Sequence, residues 1–175
     1  MPDMTSTHSL TGLNHLPQAE FVAVLGSIYE HSPWVAELAF EKLPATSIEK
    51  LQDIMFEIVL ASSDAKRLTL ICNHPELAGK EADAGTLTAD SQKEQSSAGL
   101  NQCSAAELEQ LRGLNRSYLH KFGFPFVVAV SGLNKHQIIA ALQARLENNK
   151  ESEFTTSIIE IGKIARIRLN ALIDV

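Results

Sequence analysis

The chain is poor in the groups that announce most chemistries. Its two cysteines, Cys72 and Cys103, are too few for a disulfide framework and form no paired motif, so a reduced, cytoplasmic protein is expected. Five of the six histidines, His8, His15, His31, His120 and His136, are scattered, and no two stand at metal-ligand spacing. No metal site is expected. No glycine-rich phosphate loop and no G-x-S-x-G elbow occurs, which removes two large enzyme classes. Positive charge is in deficit. Fifteen Lys and Arg face 21 Asp and Glu, a formal net charge of −6, so there is no basic surplus to neutralise nucleic-acid phosphates or an anionic membrane. A local cationic pocket for a small anion stays open. No apolar run reaches the roughly 20 residues of a membrane span. Met1 to Leu10 carries no basic region followed by an apolar core, so a secretory leader is not expected either.

What is present is helical periodicity. The apolar fraction of 45% is ordinary for a globular protein, and 175 residues suffice for a core without disulfides or metal. A first helix fits Pro17 to Glu30, with Phe21, Val24, Leu25 and Ile28 on one face. Ser32-Pro33 opens a short second helix with Ser32 as cap and Trp34 as a core anchor. Ser47 starts a third, and Ser62-Ser63-Asp64 caps a fourth from Ala65 to Asn73. Gly79 to Asp90 reads as a surface loop. A short helix from Thr88 to Ala98 stops at Gly99. Ser104 and Glu107 form a capping box for a long helix to Phe122, with Leu108, Leu111, Leu114, Tyr118 and Leu119 inward. Val127 to Val130 is β-branched but has no strand to pair with, so it is read as irregular. Asn134 with Gln137 opens a helix to Leu146, and the last runs from Glu153 to Ile173. The expectation is an all-α, single compact multi-helix domain over residues 13–175, after a flexible tail of residues 1–12.

Four stretches could carry chemistry. His74 ends a helix and precedes Pro75, which biases it out of helical geometry and turns its side chain outward at a fixed angle. A rigidly held imidazole suits proton transfer. It is also a common way to satisfy the last carbonyls of a helix. Arg168 has Ile164, Ala165, Ala171 and Leu172 as its helical neighbours, so it projects from a face that should be buried. An arginine keeps its charge on burial. It therefore pairs with a structural carboxylate, reaches the edge of the core, or binds a small anion with its planar fork. Ser91, Glu94, Gln95 and Ala98 form one polar helix face, either a solvated surface or the wall of a site. Phe122-Gly123-Phe124-Pro125-Phe126 is a turn that either packs into the core or presents its backbone to a pocket.

Read in order, these residues resemble a known family. Ser32-Pro33-Trp34, His74-Pro75-x-Leu77-Ala78-Gly79, Ser91-x-x-Glu94-Gln95-x-x-Ala98-Gly99-Leu100, Leu114-Asn115-x-x-Tyr118-x-x-Lys121-Phe122-Gly123-Phe124-Pro125-Phe126-Val127 and Arg168-Leu169 look like 2-oxo-4-hydroxy-4-carboxy-5-ureidoimidazoline (OHCU) decarboxylase. Glu76 and Lys80 stand where aspartate and arginine are expected, neither at a catalytic position. The resemblance implies an all-α homodimer with no metal or organic cofactor, which converts OHCU to (S)-allantoin and carbon dioxide in urate breakdown. It implies His74 and Glu94 as catalytic residues. Pro75, Ser91, Gln95, Phe124, Pro125, Phe126 and Arg168 are implied as the substrate-binding set. The alternative is a helical small-molecule or protein binding module of the same fold without turnover. A module has no need for an imidazole and a carboxylate converging with a buried arginine.

Overall fold

The computed structural model describes residues 7–174. The fold class is all-α, as the periodicity predicts: ten α-helices and one two-stranded parallel pair among the described residues. Chain contacts divide it into two compact units. The first comprises residues up to 73 and from 162 onward; the second comprises residues 74–161.

The first unit opens with β1 (His8–Ser9), which pairs in parallel with β2 (Ile173–Asp174), His8 opposite Ile173. Next comes α1 (Leu10–Asn14), capped by the Ser9 hydroxyl and burying Leu13. Residues 8–12 of the tail expected over residues 1–12 lie in β1 and α1. Residues 1–6 of that expected tail lie outside the described residues. Helix α2 (Gln18–Leu25) is shorter than expected, because residues 26–32 turn to bring Glu30 inside. Helix α3 (Trp34–Phe40) follows Pro33, but the Ser32 hydroxyl donates to the Glu30 carbonyl at 2.9 Å instead of capping the helix. Trp34 is only half-buried, with the Lys66 ammonium 4.8 Å above its ring; Val35, Ala36 and Ala39 fill the core in its place.

Helices α4 (Ile48–Ala61) and α5 (Asp64–Cys72) start where the Ser47 and Ser63 hydroxyls accept backbone N–H groups. Leu51, Met55 and Val59 of α4 are fully buried, each burial stabilising by about 1.5–3 kcal/mol. The last helix, α10 (Lys150–Leu172), contributes residues 162–172 to this unit. At Gly162 an added Cβ would lie 2.7 Å from the Phe56 ring, so the missing side chain lets α10 approach α4.

The second unit holds α6 (Lys80–Ala84), α7 (Ala89–Ser97), a 3-10 turn at Leu100–Gln102, α8 (Ala105–Phe122), α9 (Lys135–Arg145) and residues 150–161 of α10. The stretch expected as a loop after Gly79 thus contains a five-residue helix, ended by Gly85 in the left-handed conformation. Both expected capping boxes form, Ser104 with Glu107 and Asn134 with Gln137. The inward face of α8 is rotated from the expected one. Leu111, Asn115, Tyr118 and Phe122 are buried, whereas Leu119 is 43% exposed. Residues 127–130 are irregular, as expected.

Candidate active site

His74 lies just past the end of α5 and is 7% exposed. It is buried. The segment behind it is tightly held. Ala78 adopts φ 52°, a left-handed conformation that costs a residue with a Cβ about 1–2 kcal/mol. Three side chains from two helices compensate. Gln95 Oε1 on α7 accepts from the Ala78 N–H at 2.9 Å. Arg112 Nε on α8 donates to the Ala78 carbonyl at 3.1 Å, and its Nη2 reaches Asp83 of α6 at 2.6 Å. Asn115 Nδ2 donates to the Leu77 carbonyl at 3.0 Å. An over-determined turn of this kind is what holds a strained residue, and here it follows the candidate proton-transfer histidine by four positions.

Helix α7 supplies the polar wall. Its inward residues are Ser91 and Gln95, with Ala98 buried at its end and Glu94 half-buried. A helix that buries hydroxyl and amide groups instead of apolar side chains gains little from the core and is suited to line a site. The face is therefore not the solvated surface it could have been. On the opposite flank, Gln92 and Ser96 face a cavity of about 360 Å³ that also touches Ala78, Leu100, Cys103 and Arg112. That cavity shares only Gln95 with the expected site residues. Burial holds the thiols of Cys72 and Cys103 above the usual cysteine range, so neither is primed as a nucleophile.

The aromatic turn is packed as a core. Gly123 sits at φ 79° and reverses the chain after α8. Phe124 and Phe126 are 0% and 1% exposed and surround the Tyr118 ring, and Pro125 is buried between them. A buried network that the sequence reading missed fixes this turn. Arg145 Nε pairs with Glu153 Oε1 at 2.7 Å, its Nη1 donates to the Val127 carbonyl, and its guanidinium lies 4.6 Å from the Phe126 ring centre. The Tyr118 hydroxyl donates to the same Glu153 oxygen at 2.6 Å. Burial, and then that bond, push the Tyr118 pKa above the ordinary tyrosine value. The available signal was Arg145 standing on the stripe of Ile138 and Leu142, the pattern that singled out Arg168.

Arg168 is 6% exposed and belongs to the first unit. Its Nη1 stands 2.8 Å from Glu30 Oε2, and the same nitrogen donates to the Ser27 carbonyl at 3.3 Å. Glu30 is 2% exposed and is followed by His31 at φ 48°, whose Nε2 lies 3.8 Å from Glu30 Oε1. Asn73 Nδ2 bonds the Ser32 hydroxyl at 3.3 Å. The inward arginine thus has the carboxylate its burial demands. Glu30 itself carried no local signal, since it falls in a turn without periodicity. The other expected residues, His74, Pro75, Ser91, Glu94, Gln95 and Phe124 to Phe126, belong to the second unit. Among the described residues no group of His, Cys, Asp and Glu side chains is placed to hold a metal ion.

Comparison with known proteins gives first the class and then the family. A crystal structure of (S)-allantoin synthase superposes with a TM-score of 0.75 at 34% identity, covering 95% of this chain and 54% of that one. A second solved structure, OHCU decarboxylase in the presence of (S)-allantoin, has a TM-score of 0.66 at 23% identity and shares the fold. The family model for OHCU decarboxylase matches residues 14–170. A 2-oxo-4-hydroxy-4-carboxy-5-ureidoimidazoline decarboxylase from Haloferax volcanii is 40% identical over 93% of this chain and 95% of its own length. A uric acid degradation bifunctional protein from Bacillus sp. strain TB-90 is 42% identical over 93% of this chain, which spans about a third of that relative's length. The chain belongs to the OHCU decarboxylase family.

Proposed function

We propose that this chain is a carboxy-lyase that converts OHCU to (S)-allantoin and carbon dioxide in urate degradation, as a cytoplasmic homodimer and without metal or organic cofactor. Residues 13–175 form its catalytic domain. The observation that carries the reading is the family match over residues 14–170 on a chain whose buried histidine is followed by a turn bonded to a buried polar helix face. No helix among the described residues is long and apolar enough to cross a membrane.

The chemistry needs no borrowed electron sink. When carbon dioxide leaves, the electron pair of the broken C–C bond moves toward the adjacent ring carbon, and the imine nitrogen next to it accepts a proton. The hydroxyl on the carbon that lost its carboxylate then gives up its proton and becomes the product carbonyl, while the ureido-bearing carbon gains one on a single face. His74 takes or polarises that hydroxyl proton, for which a positioned histidine is the usual agent. Glu94 orients His74 or accepts from the ureido N–H groups, which it does only when ionised. Gln95 has its Oε1 engaged by the Ala78 N–H, so its Nε2 is the group left to donate to a substrate oxygen. Ser91, Pro75 and the Phe124-Pro125-Phe126 turn line the pocket, and Arg168 holds a substrate oxygen. Fixing one orientation is much of the catalytic task, because it decides which face is protonated.

The test follows the ultraviolet absorbance of OHCU, generated in place from urate. The native chain is expected to accelerate its decay, and His74→Asn to lower kcat by about 10²–10⁴ while melting at the native temperature. Decay no faster than the spontaneous rate with native protein would leave a binding module of the same fold.

A further inference from the structure

The Arg168–Glu30 pair bears on which substrate oxygen the arginine can hold, given the reading of Arg168 as a substrate-binding residue. Both groups are more than nine-tenths buried, and the Nη1–Oε2 separation is 2.8 Å. The Ser27 carbonyl adds a second oxygen to the same nitrogen at 3.3 Å, and the Ile28 carbonyl a third at 3.5 Å. A guanidinium beside Glu30 in this setting is already neutralised, and these oxygens all lie against its Nη1. A substrate carboxylate brought to it would place a second anion beside Glu30, where low dielectric makes like charges repel strongly. An uncharged carbonyl meets no such repulsion and still receives charge-assisted hydrogen bonds.

We infer that Glu30 is a positioning and specificity residue: by neutralising Arg168 it directs the arginine to an uncharged ring or ureido carbonyl of the substrate and away from the carboxylate that leaves. The functional logic is that of differential binding. A cation gripping the leaving carboxylate stabilises the ground state and opposes its loss, whereas a grip on a carbonyl that persists into the product does not.

The experiment measures, by calorimetry at pH 8, the affinities of two probes: allantoin, which is uncharged, and orotate, a planar ring carboxylate. The native protein is expected to bind allantoin more tightly than orotate. Glu30→Gln keeps the shape and an acceptor oxygen for Arg168 but removes the charge. It is expected to tighten orotate by about tenfold, leave allantoin within about twofold, and lower both kcat and KM for OHCU. Glu30→Asp, which keeps the charge, is expected to retain the native order of the two probes. Orotate binding that is tighter than allantoin in the native chain, or unchanged in Glu30→Gln, or raised equally in Glu30→Asp, would overturn the inference. Arg168→Gln separates this from the site reading. If it binds both probes as the native chain does, Arg168 is no part of the site and both fall. If it loses them while Glu30→Gln shows no charge discrimination, only the role of Glu30 falls.

Discussion

At the scale of single residues, the turn after His74 shows how few atoms hold the candidate site's backbone. Asn115 is 3% exposed and spends its amide on the Leu77 carbonyl, while its Oδ1 is buried with no hydrogen-bond partner among the described residues. Asn115→Leu removes one good bond and one orphaned acceptor together. The expected loss in urea denaturation is therefore at the lower end of about 1–3 kcal/mol. Asn115→Asp puts a carboxylate against the Leu77 carbonyl, and its loss should exceed that of the leucine. The reverse order would show that the bond to Leu77 contributes little. Asn115 also shows where residue-level reading of the sequence fails. Apolar periodicity selects leucines, so it placed Leu119 inward and left a buried asparagine out, although Asn115 aligns with Leu111, Tyr118 and Phe122 at steps of three and four. Arg168 was legible as inward because its neighbours are all apolar. Its partner was not, because Glu30 is distant in sequence and no local pattern encodes a pairing between two elements.

At the scale of elements, the chain is most legible at its helix starts. Ser47, Ser63, Ser104 and Asn134 all cap as their spacing predicts, since a cap is local chemistry between a side chain and an N–H three residues on. The short helix α6, the ordered strand at residues 8–9 and the half-buried Trp34 were not legible, because each depends on what a neighbouring element covers. The α8 start gives a direct test. Ser104→Ala is expected to cost about 1 kcal/mol in chemical denaturation. Glu107 bonds Lys135 at 2.9 Å and the Ser104 backbone N–H, which together hold its pKa down at about 2. Its folded value lies below its unfolded one near 4.5. Its contribution is thus fully present above pH 4.5 and lost as pH falls toward 2. Glu107→Gln should flatten the stability profile in that window and leave neutral pH little changed; an unaltered acid limb would place the dependence on other carboxylates.

At the scale of the whole molecule, the all-α class was readable from periodicity alone, whereas the family was readable only through a set of weak motifs met in order. A helix face of Ser91, Glu94, Gln95 and Ala98 has two readings until the fold shows it buried. The proposed homodimer is tested by sedimentation, where a species of twice the 19.1 kDa chain mass is expected and a monomer at micromolar concentration would contradict it. Exhaustive chelation should leave the rate of OHCU loss unchanged, as a reaction that uses the substrate's own imine requires.

The central claim is that a buried histidine on an over-determined turn directs a stereospecific decarboxylation. Circular dichroism of the allantoin formed when OHCU is generated from urate measures this most directly. The account predicts rapid growth of the (S)-allantoin signal with native protein, and its disappearance with His74→Ala. A racemic product, or a single enantiomer formed at the native rate by the variant, would contradict it.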